Sequence, residues 1–256
     1  MNTTLNQRSW WQRHLIVIIL SVLGTWLFLY SRAQWSEMHR WNRAIGDMSL
    51  VLVALAMAIG PMSRLWRGAV RLMPYRRELG IYAIVLALIH ATIILFGWVT
   101  LDLMRLFGFE FHPGLQRYVM VNQGFALANL IGILALVYGI ILAVTSNDLS
   151  QRLLGTSVWK FVQQGTYILW WLSVVHTAYF LFVHFLDFHR QTPDPNWFQW
   201  PFVGLVGAVM ALQIAASTVT WRKSSQPRAE GPRRTDQRHS DAGADFARSE
   251  VGPRGC

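Results

Sequence analysis

The chain has 256 residues, of which 53% are hydrophobic and only 14% charged, with 13 Trp and a formal net charge of +10. So few charges cannot clothe a soluble globule of this length, which excludes an ordinary water-soluble enzyme and points to a lipid-facing surface. The basic residues fall between and after apolar runs rather than along one soluble face, so they read as a topology signal and not as a nucleic-acid footprint. The single cysteine, Cys256, excludes an intramolecular disulfide, a cysteine-held metal cluster and thioether attachment of a cofactor.

A helix crossing a hydrocarbon core of about 30 Å needs about 20 predominantly apolar residues. Six runs meet this requirement: Leu15 to Tyr30, Ile45 to Met62, Leu79 to Trp98, Gly124 to Thr145, Tyr167 to Leu186 and Phe198 to Thr220. Arg8 and Arg13 precede the first run, but no small-x-small cleavage pattern follows it, so it is expected to stay as a span. Between the third and fourth runs, Val99 to Gln123 mixes Leu101, Leu103, Leu106, Phe107 and Phe109 with Asp102, Arg105 and Glu110. This predicts an amphipathic piece resting on the outer membrane surface. Asp187 to Trp197, with Pro193 and Pro195, predicts a loop. From Arg222 onward Ser, Pro, Gly and charged residues dominate and too little apolar surface is available to fold.

The predicted organisation is therefore a cytoplasmic segment 1–14, a six-helix transmembrane domain 15–221 and a disordered cytoplasmic tail 222–256. The fold class is an all-α integral membrane bundle of six transmembrane helices. An even number of spans puts both termini on one side. The cluster Arg64, Arg67, Arg71, Arg76 and Arg77 makes that side cytoplasmic, by the Lys/Arg bias of short loops; the expected setting is a bacterial inner membrane. No inverted repeat of the transporter kind is visible.

Ionisable groups at membrane depth are costly, and few are present. His90 lies about 11 residues into the third run and His176 about nine into the apolar part of the fifth. Both runs cross in the same direction, so at about 1.5 Å per residue the two imidazoles reach similar depth. One haem could bridge them: neutral imidazoles bring no net charge into the bilayer, and two fill both axial positions, which favours electron transfer over ligand binding. Ala83, Ala87 and Gly97 lighten the face around His90, and Ser173 and Tyr179 flank His176. The alternative for each histidine is a packed ring bonded to a backbone carbonyl. His184 reads as an interfacial histidine among aromatic residues, because His39, His112 and His189 fall in loops and offer it no partner at its depth. His14 and His239 belong to polar flanks. Asp47 is expected to pair with Arg43 one turn earlier. Asn129, above the small residues Gly132, Ala135 and Gly139, is expected to tie helices together. Gly46, Gly60 and Gly80 mark span ends, and no dinucleotide fingerprint occurs.

The order of motifs resembles the ferric reductase-like transmembrane domain. Arg76-Arg77-Glu78-Leu79-Gly80 opens a third span carrying Leu88-Ile89-His90. A fourth span ends Leu142-Ala143-Val144-Thr145-Ser146-Asn147-Asp148. Leu154-Gly155-x-x-x-Trp159 then leads to a fifth span with Tyr167 and His176. The resemblance covers about Asn42 to Phe185 and is nearest to the haem-binding membrane subunit of the bacterial methionine sulfoxide reductase system. It implies a cytochrome b-like oxidoreductase subunit for electron transport, holding haem b, with His90 and His176 as its iron ligands. Many members carry a second fifth-helix histidine where this chain has Gln163, so one haem is implied rather than two, and Gln163 is expected to line an inner-leaflet pocket. Larger members carry their own flavin and NADPH domains. Here the resemblance implies a separate donor, a flavin reductase or membrane quinol, possible use of FMN or FAD at the cytoplasmic face, and an outer acceptor protein. The rival readings are a haem-free scaffold or assembly factor of the same fold, and a small transporter with a path lined by His90, Asn129 and His176; the latter lacks a discontinuous helix or acidic relay.

Overall fold

A computed structural model describes residues 3–121, 123–184 and 196–225. Among these residues six helices are long and apolar enough to cross a membrane, and the protein is a multi-pass membrane protein with an all-α bundle. In chain order the elements are α1 (Thr3–Tyr30), α2 (Glu37–Leu65), a 3-10 turn (Arg67–Leu72), α3 (Tyr75–Ile93) continued by a π-turn (Ile94–Trp98), a one-turn α4 (Leu103–Leu106), β1 (Phe109–His112), β2 (Arg117–Met120), α5 (Gln123–Thr145), α6 (Asp148–Gln164), α7 (Thr166–Ala178) continued by a second π-turn (Tyr179–Val183), and α8 (Gln199–Ser224). By its contacts the chain divides into Met1–Val219 and Thr220–Cys256. The second unit begins inside the last turns of α8. The remainder of the tail, His239, His189 and most of the loop from Asp187 lie outside the described residues.

Burial makes α2 the central helix. Its most apolar window is 61% buried, against 17% to 28% for the other five spans. The cause is local: Ala44, Ala54 and Ala56 let neighbouring helices approach while Met48, Leu52 and Met57 fill the gaps between them. The other spans keep large side chains such as Trp26, Leu27, Ile141 and Val144 exposed, as a surface facing hydrocarbon requires.

One buried and one part-buried ion pair tie the spans. Glu78 on α3 accepts from Arg13 Nε of α1 at 2.9 Å. Asp47 on α2 accepts from Arg32, in the turn after α1, and not from the expected Arg43. Arg43 stacks over the Trp35 ring at 4.4 Å and acts on Asp47 through its charge, without a hydrogen bond to it. The loop supplies the partner because Arg32, only 1% exposed, points inward between Phe28 and Trp197.

The segment after α3, expected to be an amphipathic piece, exposes Leu101, Leu103 and Phe111 beside charged residues and has regular structure of its own. It holds α4, capped by the Asp102 carboxylate accepting from Met104 N, and then an antiparallel hairpin with Phe109 opposite Met120 and His112 opposite Arg117. The alternation Phe-Glu-Phe-His and Arg-Tyr-Val-Met has the two-residue period of strands. Asn129 ties this segment to α5 by donating to Leu106 O at 2.8 Å. It therefore anchors a connection rather than joining two spans. Gly139 does allow close helix approach: a Cβ there would overlap Ile84 of α3.

α6 precedes the fifth span as a separate amphipathic helix. Asn147 caps it by accepting from Ser150 N at 2.7 Å, and Gly155 breaks it at φ +75°, a conformation costly for any residue with a Cβ. Gln163 clasps α6 to the end of α5: its amide donates to Thr145 Oγ1 at 3.1 Å and accepts from Ser146 Oγ at 3.4 Å. Trp159 Nε1 adds a bond to Thr145 O at 2.8 Å. Gln163 thus serves as a helix clasp.

Candidate functional site

α2, α3, α5 and α7 enclose a cavity of about 720 Å³. Well-packed interiors hold few voids larger than a water molecule, so a space this large is shaped for a ligand. Small side chains make the room: Gly46, Ala87, Ala91, Gly132, Ala135 and Ser173 all line it. Of the small residues expected beside His90, Ala87 faces the cavity. Ala83 instead packs against α2, where its carbonyl accepts from Ser49 Oγ at 2.8 Å. Gly97 faces Met38. Tyr179 packs on Gly124 rather than lining the cavity.

His90 from α3 and His176 from α7 meet across this cavity, with ring centroids 6.5 Å apart and planes at 88°. His90 Nδ1 is 2.9 Å from Asn42 O of α2, and His176 Nδ1 is 2.8 Å from Ala128 O of α5. A carbonyl can only accept, so each ring donates from Nδ1–H and keeps its lone pair on Nε2. The carbonyl partner proposed as the alternative role is therefore present, and the same bond fixes the tautomer a ligating imidazole needs. Among the described residues no group of three or more His, Cys, Asp or Glu is assembled for a bare metal ion. The two nitrogens suit a centre that brings its other ligands with it.

Beyond the histidine pair, away from the Arg64–Arg77 loop, the cavity continues past Arg43 and Asp47 to Gln34, Trp35 and Ser36. His39 and His184 also line it there. His39 lies in the first turn of α2 and meets the Trp98 ring edge-on at 4.8 Å, while His184 lies among Phe125, Tyr179 and Phe180. The expected aromatic setting of His184 is thus present, but His39 belongs to a helix and to the cavity rather than to a loop. His112 sits in the hairpin turn and accepts from Leu115 N at 3.2 Å, and His14 pairs with Tyr82 Oη at 3.1 Å.

The residues that sequence reasoning missed are Gly46 and Gly132. Each lies against one of the two imidazoles, rather than at a span end or in a helix-packing stripe. Ile-Gly recurs at both places, at the same distance before its histidine, which was the available signal.

Residues 43–173 match the family of ferric reductase like transmembrane components. The matched stretch runs from α2 into α7; it contains Gly46, His90 and Gly132 and stops just short of His176. With just over half of its length matched, the chain belongs to the ferric reductase-like transmembrane family.

Proposed function

We propose that the protein is a haem b-binding membrane subunit that carries electrons across the bilayer, with His90 and His176 as the two axial ligands. One observation carries the reading: two half-buried imidazoles, each with Nδ1 tied to a helix carbonyl, face one cavity at 6.5 Å between ring centres. Two iron–nitrogen bonds of about 2 Å, plus about 1.1 Å from each nitrogen to its ring centre, call for a spacing of about 6 Å. The donor set, the spacing and the cavity volume all fit the group.

Bound there, haem would accept and release single electrons. The chain's own part is to supply two neutral nitrogens without placing charge in the bilayer, and to orient them through the Asn42 and Ala128 carbonyls. Two nitrogens held in this way would favour electron transfer over oxygen binding. Arg43 and Ser36, where the cavity continues beyond Asp47, suit the acidic edge of the group. The Lys/Arg bias puts that end outside the cytoplasm. Electrons would enter from the Arg64–Arg77 side, from a flavin reductase using FMN or FAD or from a membrane quinol, and leave to an outer acceptor protein. The setting would be a bacterial inner membrane, and the nearest functional analogue the haem subunit of a methionine sulfoxide reductase system.

The test is a reduced-minus-oxidised absorbance spectrum of the purified full chain. A low-spin b-type spectrum, lost in both His90→Ala and His176→Ala, is the expected result. A haem-replete expression that yields colourless protein would overturn the reading in favour of a haem-free scaffold.

A further inference from the structure

The two walls of the cavity are one unit used twice. His90 reaches the carbonyl 48 residues before it, and His176 does the same. A single offset of 86 residues relates the carbonyls (42 to 128), the glycines against the rings (46 to 132) and the histidines (90 to 176). It also relates the ring pair His39 and Trp98 to the pair Phe125 and His184, with imidazole and aromatic exchanged. Each histidine helix then ends in a π-turn, at Ile94–Trp98 and at Tyr179–Val183. α2 and α5 cross in one direction and α3 and α7 in the other. This is a parallel repeat about an axis along the membrane normal, distinct from the inverted kind.

What the repeat preserves identifies what it does. A Cα–Cβ bond in a helix tilts toward the N-terminus, so the side chain at i+4 covers the carbonyl at i. Gly46 stands four residues after Asn42, and Gly132 four after Ala128. Removing the side chain there opens a notch through which a ring from the neighbouring helix reaches a carbonyl already used by its own helix. The fit is close. A Cβ at Gly46 would stand 3.0 Å from His90 Nδ1 and Cε1, and one at Gly132 would stand 2.6 Å from the same atoms of His176. We infer that Gly46 and Gly132 are paired positioning residues. Each is a notch that holds its imidazole on the carbonyl, fixing the tautomer and the perpendicular setting of the two ring planes. The inference rests on the haem reading above but concerns what orients the ligands, not whether they bind.

The test compares the full-length wild type with Gly46→Ala and Gly132→Ala by electron paramagnetic resonance of the oxidised protein, by redox titration and by carbon monoxide binding after reduction. Ala is the better helix former by about 1 kcal/mol, so helix propensity cannot account for a loss. Wild type should give the strongly anisotropic low-spin signal of perpendicular imidazoles and bind no carbon monoxide. Gly46→Ala should keep its haem with a changed g-anisotropy and a reduced-to-oxidised ratio shifted by up to about tenfold, or 59 mV for one electron. Gly132→Ala, with the closer contact, should go further, giving a high-spin fraction and carbon monoxide binding. Gly204→Ala and Gly207→Ala, where a Cβ meets nothing within 4 Å, should match wild type in every readout. If Gly132→Ala does not accumulate, Gly46→Ala decides alone. Unchanged signals in both notch variants, or equal changes in the Gly204 and Gly207 controls, overturn the inference while leaving the haem reading intact. A wild type without haem would instead sink the reading on which it rests.

Discussion

Replacing Arg32 by Met should destabilise the protein far more than removing both members of its ion pair. Arg32 is 1% exposed and Asp47 8%, so neither charge is paired through water. The guanidinium donates to Asp47, lies 3.5 Å from Asn196 Oδ1 and sits over the Phe28 and Trp197 rings at 5.4 and 5.9 Å. Deleting it leaves the buried carboxylate without its hydrogen-bonded cation and with only the Arg43 charge nearby to offset it, so the cost should fall at the low end of the range for breaking a buried pair, about 3 kcal/mol. Because 1.4 kcal/mol is a factor of ten, this is at least about a hundredfold in the folded-to-unfolded ratio. Asp47→Leu combined with Arg32→Met replaces the pair by apolar bulk and should recover most of that loss, since a buried pair exchanged for hydrophobic residues is often neutral. The assay is a double-mutant cycle: Trp-fluorescence unfolding of the purified protein in mixed micelles of rising denaturing-detergent fraction. An Arg32→Met variant within about 1 kcal/mol of wild type, or a double variant no better than the single, would refute the pair as a buried charge couple.

The histidines should sort by consequence. His90→Ala or His176→Ala should each remove most haem absorbance, whereas His184→Ala should leave the spectrum nearly unchanged; a comparable loss in His184→Ala would mean that the wrong ligand on α7 has been chosen. Gln163→His should add no second haem, because the side chain it replaces is a clasp on Thr145 and Ser146. Gln163→Ala should cost about 1 kcal/mol in the same unfolding assay through its lost hydrogen bonds, and an increase in haem content in Gln163→His would contradict the clasp. A C-terminal tag should resist protease added to intact spheroplasts, and its digestion would reverse the assigned orientation.

Six spans, their approximate limits and the matched depth at which His90 and His176 meet across one cavity were legible in the chain itself, because hydrocarbon thickness and the cost of intramembrane polar groups act residue by residue. The partner of Asp47 was not. Helical spacing makes Arg43 the local candidate, yet Arg32 takes the place, because a loop that folds back between Phe28 and Trp197 carries its charge to a site no periodicity describes. The hairpin after α4 was hidden by a composition that suits an amphipathic helix as well as short strands. Gln163 was marked by resemblance as a vacated ligand position, and only the packing of α6 on the end of α5 made it a clasp. Gly46 and Gly132 show the division most clearly. Glycine is identifiable in any sequence, but what an absent side chain makes room for depends on which ring a neighbouring helix brings against it, and that is decided by tertiary structure alone.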